Sequence, residues 1–181
     1  MGFKYKVSNN DIYFITVTVV DWIDVFTRKE LAEIVIDSLK YCQKEKGMVL
    51  YAWCLMPSHL HLIASAEENI KISDIMRDFK KFTSKSIVAV IKEINESRKE
   101  WLLDKFEFAG RTNLKNKEYK FWQDGFHPIE LDTNALMEQK LNYLHYNPVA
   151  AGIIYEPEHY VYSSAINYVG QQGLIDVLLM E

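Results

Sequence analysis

Side chains of the first apolar stretch of the chain fall alternately on two faces, which is the period of a β-strand. Residues 11–21 read DIYFITVTVVD, rich in β-branched and aromatic residues, which indicates a strand. Two more strands are predicted at residues 48–56, MVLYAWCLM, and 59–65, HLHLIAS. Pro57 and Ser58 form a tight break between these two segments, so we expect the second and third strands to pair antiparallel.

Other segments repeat apolar residues at helical spacing. Residues 27–47 predict a helix that begins with a capping box of Thr27 and Glu30 and ends at Gly47. Residues 71–94 predict a long helix. Its apolar stripe consists of Ile72, Ile75, Met76, Phe79, Ile87, Val90 and Ile94.

A third helix is predicted at residues 135–147, ALMEQKLNYLHYN. Asp132, Thr133 and Asn134 offer caps at its start, and Pro148 is expected to end it because a residue before proline disfavours helical geometry. Residues 121–131, FWQDGFHPIEL, predict a short strand or an aromatic-rich loop.

The charged segment at about 97–120 predicts an irregular excursion that could include a helical turn at Trp101. The order strand, helix, strand, strand, helix, strand-like segment, helix predicts an α+β fold. We expect an antiparallel sheet with helices on one face, in a single domain that spans residues 1–181.

Composition narrows the class of protein. The 181 residues, 49% of them hydrophobic and 25% charged, fit one soluble domain with a real core. No apolar run reaches the ~20 residues of a membrane helix, and the start MGFKYKVSNN lacks the apolar part of a signal peptide. A cytoplasmic protein without a membrane partner is therefore predicted. Cys42 and Cys54 lie too far apart for a metal or redox motif.

His59 and His61 occupy alternate positions of the third predicted strand. Both side chains then project from one face, about 7 Å apart along the chain, while Leu60 and Leu62 point the other way. Two neutral imidazoles so placed can bind one divalent metal ion, although hydrogen-bonded structural histidines are the commoner outcome. Ile63 stands where histidine-triad nucleotide hydrolases need a third histidine, so that class is excluded.

Tyr143 and Asn147 are spaced i, i+4 on the last predicted helix and share one face. They could present a phenol and a metal-binding amide oxygen one turn apart. The alternative is a core tyrosine and an asparagine that caps the helix before Pro148. Tyr146 is a second tyrosine on the same turn.

Candidate nucleic-acid contacts lie on and after the long helix. Arg77, Lys80, Lys81 and Lys85 recur at helical spacing and could follow phosphates, or they could form a solvated face. Trp122 and Phe126 could stack unpaired bases, or they could belong to the core. The net charge of −4 argues against a non-specific nucleic-acid coat but allows a local basic groove.

Taken together, four segments carry a family resemblance. The segments MPSHLHLI, MRDFKKFTSKSI, FWQDGFHPIEL and YLHYNPVAAGIIYEPEHYVYSSA follow one another in this order. This arrangement resembles the single-tyrosine HUH (His-hydrophobe-His) transposases, most closely the REP-associated tyrosine transposase group. The resemblance runs from about the first strand to the YSSA segment. It departs from the group in an acidic net charge and at Ala150, where the group usually has a basic residue.

The resemblance implies a ferredoxin-like sheet and a metal-dependent endonuclease and strand transferase that cuts and rejoins single-stranded DNA beside hairpins. By position, His59 and His61 match the metal-binding pair, Asn147 the third ligand and Tyr143 the nucleophile. The metal would be Mg²⁺ or Mn²⁺, and the product a covalent 5′-phosphotyrosine with a free 3′-hydroxyl. A non-cleaving domesticated DNA-binding protein and a small metal hydrolase stay open as alternatives. The relatives include monomers and dimers, so a homodimer is also possible.

Overall fold

The computed structural model describes residues 11–111 and 118–180. Outside the described residues lie residues 1–10, 112–117 and 181. The first of these ranges is the chain start on which the signal-peptide prediction rests, and the second belongs to the predicted excursion. Within the described ranges, no helix is long and apolar enough to span a bilayer.

A four-stranded antiparallel sheet forms the centre of the fold. Its strands are β1 (Tyr13–Thr18), β2 (Met48–Met56), β3 (His59–Ala66) and the short β4 (Ile129–Glu130). Their spatial order is β2-β3-β1-β4, so β3 lies inside the sheet, paired with β1 on one side and β2 on the other. This order, with a helix after β1 and another after β3, is the ferredoxin-like arrangement, and the predicted α+β class is confirmed.

The helices are α1 (Lys29–Glu45), α2 (Ile72–Glu93), α3 (Lys99–Arg111), α4 (Asn134–Ala150) and the short α5 (Ala165–Tyr168). They cover both faces of the sheet, because two separate apolar cores exist. On one face, α1, α2 and α3 pack on inward residues such as Ile15, Leu60 and Leu62. On the other, α4 packs its Leu141 on strand residues such as Phe14.

The predicted coverage of one face is therefore wrong. The reason lies in β2, whose sequence MVLYAWCLM is apolar on both sides and is buried at nearly every position. A strand without polar alternation needs cover on both faces. This two-sided cover places α4 over the face that carries His59 and His61.

The predicted irregular excursion is wrong over Lys99–Arg111, which form α3. Leu102, Phe106 and Gly110, spaced four residues apart, are its buried positions. Three buried positions, one of them a glycine, among many charged residues gave too weak a period to predict a helix.

Two predicted helix ends differ from the structure. The capping box is wrong, because α1 begins at Lys29 and the Thr27 hydroxyl donates instead to the Asp24 carbonyl at 3.1 Å. Pro148 does not end α4, which continues to Ala150. The proline falls in the last turn and removes one helical hydrogen bond, to the carbonyl of Leu144, while Asn147 O still accepts from Ala151 N at 3.0 Å.

Other predicted boundaries are confirmed. Gly47 follows α1 with φ of +68°, the left-handed conformation that glycine adopts at low cost. The Thr133 side chain caps α4 by accepting from Leu136 N at 3.2 Å.

Candidate metal and DNA-cleavage site

The two histidines lie side by side on the inner strand β3. Their ring centroids are 4.7 Å apart and their planes meet at 76°. Leu60 and Leu62 are fully buried in the opposite core, as the alternation predicted. The pair thus faces α4, at the end of the sheet where β3 begins.

Each imidazole has a hydroxyl beside its Nδ1. Thr16 Oγ1 lies 2.9 Å from His61 Nδ1, and Ser58 Oγ lies 3.1 Å from His59 Nδ1. If Nδ1–H donates to the hydroxyl, the lone pair of Nε2 is left to bind a cation. Hydroxyl contacts of this kind fix the orientation of both rings.

Burial keeps both rings neutral at pH 7. It lowers the pKa of His59 to about 4 and, together with the nearby charges of His59 and Lys140, the pKa of His61 to about 3. A metal binds the neutral imidazole, so the site needs no deprotonation step at physiological pH.

The helix α4 brings Tyr143 and Asn147 to the histidines. The Tyr143 ring centroid lies 5.5 Å from that of His61, and Asn147 Nδ2 lies 3.4 Å from His61 Nε2. Tyr143 also packs edge-on to Phe14 at 5.9 Å, yet 51% of its surface stays exposed. The i, i+4 spacing therefore places both side chains on the face that meets the histidines.

Tyr146 is exposed as well, at 58%. Across the part of the chain that the structure describes, the aromatic side chains that pack on the two histidines are Phe14, Trp22 and Tyr143, and not Tyr146. Tyr143 is thus the better-placed phenol of the two.

Sequence reasoning missed three neighbours of the site. Lys140 Nζ lies 5.7 Å from the Tyr143 ring centroid, and its spacing from Tyr143 and Asn147 on one helix face could have revealed it. Thr16 touches His61 through strand pairing, whose register the sequence does not show. Trp22 lies beside His59, with 5.3 Å between ring centroids, and no sequence pattern indicated its position.

The donors suit a divalent cation of modest hardness. No group of three His, Cys, Asp or Glu side chains that could hold a metal occurs among residues 11–111 and 118–180. Two imidazole nitrogens and the Asn147 amide are present instead, and rotation of that amide would present Oδ1 towards His61 Nε2. A metal ion held by this neutral set would keep its full charge.

A second feature is a groove of about 870 Å³ between α2 and residues 118–126. It brings together all six residues predicted to contact DNA: Arg77, Lys80, Lys81, Lys85, Trp122 and Phe126. The groove lies beside the C-terminal end of β1, because Gln123 N donates to Thr18 O at 2.8 Å.

The six residues differ in what they offer. Trp122 is 4% exposed and its indole N–H donates to Thr83 Oγ1 at 2.9 Å, so it occupies the core, the alternative that the sequence left open. Lys80 donates to the carbonyls of Gln123, at 2.7 Å, and Gly125. Packing against Phe26, Phe79 and Phe121 buries the indole.

Arg77 bonds to Asp74 at 2.7 Å and to Asp78 at 3.2 Å. Lys81 and Lys85 are exposed along the groove, and Phe126 is half-buried. A role in DNA binding for these four residues and for Lys80 stays a prediction.

A family model described as "Transposase IS200 like" matches residues 8–109, more than half of the chain. The chain therefore belongs to the IS200-like transposase family. The matched segment contains His59 and His61 and ends before α4, the helix with Tyr143 and Asn147.

A solved structure shows the same fold. A REP-associated tyrosine transposase bound to a REP hairpin is 18% identical, with a TM-score of 0.59 over 100% of this chain and 97% of that one. A candidate transposase from Deinococcus radiodurans is 16% identical, with a TM-score of 0.46 over 78% of this chain and 97% of that one. No curated protein has a matching sequence. The predicted relationship to this class of transposase is confirmed at the level of the family, and the fold matches that of a REP-associated tyrosine transposase.

Proposed function

We propose that this protein is a metal-dependent single-stranded DNA endonuclease and strand transferase that acts beside DNA hairpins through a covalent 5′-phosphotyrosine. The observation that carries the proposal is the convergence on His61, where the Tyr143 ring lies 5.5 Å away and the Asn147 amide 3.4 Å away. Membership of a transposase family supports an enzyme, and the similar structure bound to a REP hairpin supports a DNA partner.

His59, His61 and Asn147 would hold the divalent ion, Mg²⁺ or Mn²⁺. When bound, the ion supplies Lewis acidity to the scissile phosphate and helps to orient it. The protein contributes neutral imidazoles whose Nδ1 atoms are held by Ser58 and Thr16. Two ring orientations are thereby fixed before DNA arrives.

Tyr143 would be the nucleophile. Its phenol oxygen forms a bond to the scissile phosphorus while the bond from that phosphorus to the 3′ oxygen breaks. The phenol loses a proton, and the departing 3′ oxygen gains one to become a hydroxyl. The reverse reaction reseals a strand without ATP, because the phosphodiester energy is kept in the phosphotyrosine. Half-exposure of the ring supports this role, since a DNA strand can reach the phenol.

DNA would also contact the groove along α2. Lys81 and Lys85 are the cations best suited to phosphates, because Arg77 and Lys80 already have protein partners. Phe126 remains a candidate for base stacking. A homodimer and a cytoplasmic location stay predictions.

A denaturing gel tests the reaction. A hairpin oligonucleotide labelled at its 3′ end is incubated with the protein and Mn²⁺ or Mg²⁺, and the 3′ fragment becomes attached to the protein. We expect a denaturation-resistant adduct with the wild type and with Tyr146→Phe, and none with Tyr143→Phe. Chelation of the metal with EDTA abolishes the adduct.

Three results contradict the proposal in different ways. An adduct with Tyr143→Phe at the normal rate moves the nucleophile elsewhere, to Tyr146 first. Hairpin binding without any cleavage by the wild type indicates the non-cleaving binding protein. Turnover of nucleotides or esters without a protein–DNA adduct indicates the metal hydrolase.

A further inference from the structure

Trp22 occupies an unusual backbone conformation immediately after β1. Its φ is 56° and that of the preceding Asp21 is 53°. Neither residue is a glycine, and a bulky side chain with positive φ is a rare and unfavourable conformation. Two such residues in succession persist only where the surrounding structure fixes them.

Hydrogen bonds and an ion pair fix this turn. Val20 N donates to Phe121 O at 2.9 Å, and Trp22 N donates to Val19 O at 3.1 Å. Asp21 Oδ2 lies 3.3 Å from Lys105 Nζ on α3. The turn is therefore held by its own backbone hydrogen bond, by residue 121 and by α3.

The strained turn does not serve to bury the indole. Trp22 is 59% exposed, whereas Trp53 and Trp122 are buried in the core. Its ring centroid lies 5.3 Å from that of His59, with the planes at 70°. A single exposed apolar residue is ordinary in proteins, but a rigid one in a strained turn beside the candidate site is not.

Four rings form a row across the site. Their order is Trp22, His59, His61, Tyr143, with centroid separations of 5.3, 4.7 and 5.5 Å. The indole and the phenol thus lie at opposite ends, with the imidazoles between them. A strand whose phosphate lies over the histidines would bring an adjoining base to the indole.

We propose that Trp22 is a positioning residue that stacks an unpaired base of single-stranded DNA next to the scissile phosphate. This inference rests on the proposed function. Base–aromatic stacking suits this place because it tolerates any base and needs a rigid, exposed ring. The stack holds the strand in register so that the phosphate faces Tyr143.

The test measures binding by fluorescence anisotropy, in the Tyr143→Phe background so that the DNA is not consumed. A set of labelled hairpin oligonucleotides carries one abasic site at successive positions of the unpaired flank. We expect one abasic position to weaken binding about 5- to 100-fold, the range of one lost stack. Trp22→Ala should weaken binding of intact DNA by a similar factor and abolish the penalty at that position alone.

Further variants separate stacking from a change in folding. Trp22→Phe should recover most of the affinity, and Trp22→Asn, which suits a positive φ, should behave like Trp22→Ala. Phe108→Ala removes an aromatic side chain on α3 that is 69% exposed and should change nothing.

The inference is wrong if Trp22→Ala leaves the affinity unchanged. It is also wrong if that variant weakens intact and abasic oligonucleotides by the same factor, because Trp22 then only supports His59. In either case the adduct assay on wild-type protein still decides the proposed function. If the abasic penalty disappears in Trp22→Ala but the wild type forms no adduct with DNA, Trp22 stacks a base and the protein does not cleave.

Discussion

The Thr16 hydroxyl sets which nitrogen of His61 faces the candidate metal site. It lies 2.9 Å from His61 Nδ1, across the β1–β3 pair in which Thr16 and His61 are directly opposite. An imidazole with one nitrogen held by a hydrogen bond presents the other in a defined direction. Thr16 therefore acts on the site without belonging to the donor set.

Thr16→Val should weaken binding of Mn²⁺ by about 10- to 100-fold, the usual effect of losing such a contact, while the fold is kept. Valine has nearly the same shape and cannot hydrogen-bond to Nδ1. The binding constant is measured by isothermal titration with Mn²⁺ alone. Ser38→Ala, which removes another buried hydroxyl far along α1, is the matched control and should bind Mn²⁺ normally. Equal affinity in Thr16→Val and wild type would leave Thr16 without a role in orienting His61.

At the scale of single elements, α2 carries exposed cations along the groove. Lys81→Ala and Lys85→Ala should each weaken hairpin DNA binding and reduce the slope of log K against log salt by about one, because each removes one phosphate contact. Binding is measured between low and moderate salt. Lys40→Ala, an exposed lysine of α1 outside the groove, should leave the slope unchanged. Unchanged slopes for both α2 variants would make this helix face a solvated surface.

The sequence was informative wherever the position of a side chain follows from spacing within one element. Alternation placed His59 and His61 on one face, and the i, i+4 rule placed Tyr143 with Asn147. Helix ends set by a single backbone preference, such as Gly47 after α1, could also be predicted.

What the sequence did not show depends on contacts between elements. The sequence left Trp122 open between base stacking and the core, and tertiary packing buries it against Phe26 and Phe79. The pairing of Thr16 with His61 and the left-handed turn at Trp22 follow from strand register and from bonds to residue 121 and α3. Local pattern carries no information about either.

At the scale of the whole molecule, the candidate site depends on two cores that hold the sheet between opposing helices. Glu96 joins segments around one of these cores. Its side chain is 1% exposed, and its Oε2 accepts from Arg28 Nε at 2.6 Å beside α1. Its Oε1 accepts from Arg98 N at 2.9 Å, just before α3. Arg98 in turn reaches Asp24 at 2.6 Å, so one carboxylate fixes the region after β1 against two helices.

The hydrogen bond from Arg28 is the main reason that the pKa of Glu96 falls from 4.5 to about 2. A carboxylate whose pKa is lowered by folding stabilises the fold above its unfolded pKa, and that stabilisation is lost as the pH falls. The loss attributable to Glu96 thus lies between about pH 4.5 and 2. Burial also lowers the pKa values of three histidines, to about 4 for His59, 3 for His61 and 4 for His145. They too destabilise the fold as the pH falls, but their effect begins at a higher pH, just below 6.5.

Glu96→Gln should therefore lower the free energy of unfolding at pH 7 by about 1–3 kcal/mol, because a charged partner of Arg28 is lost. Between pH 6.5 and 4.5 its stability should fall in parallel with that of the wild type, since the histidines are unchanged. Below pH 4.5 the decline should become shallower than in the wild type, so that the two curves converge. Urea unfolding at pH 7, 6, 5, 4 and 3 measures this, with exposed Glu100→Gln as the matched control. Curves that stay parallel down to pH 3 would show that Glu96 is not the group whose protonation loosens the contacts between β1, α1 and α3.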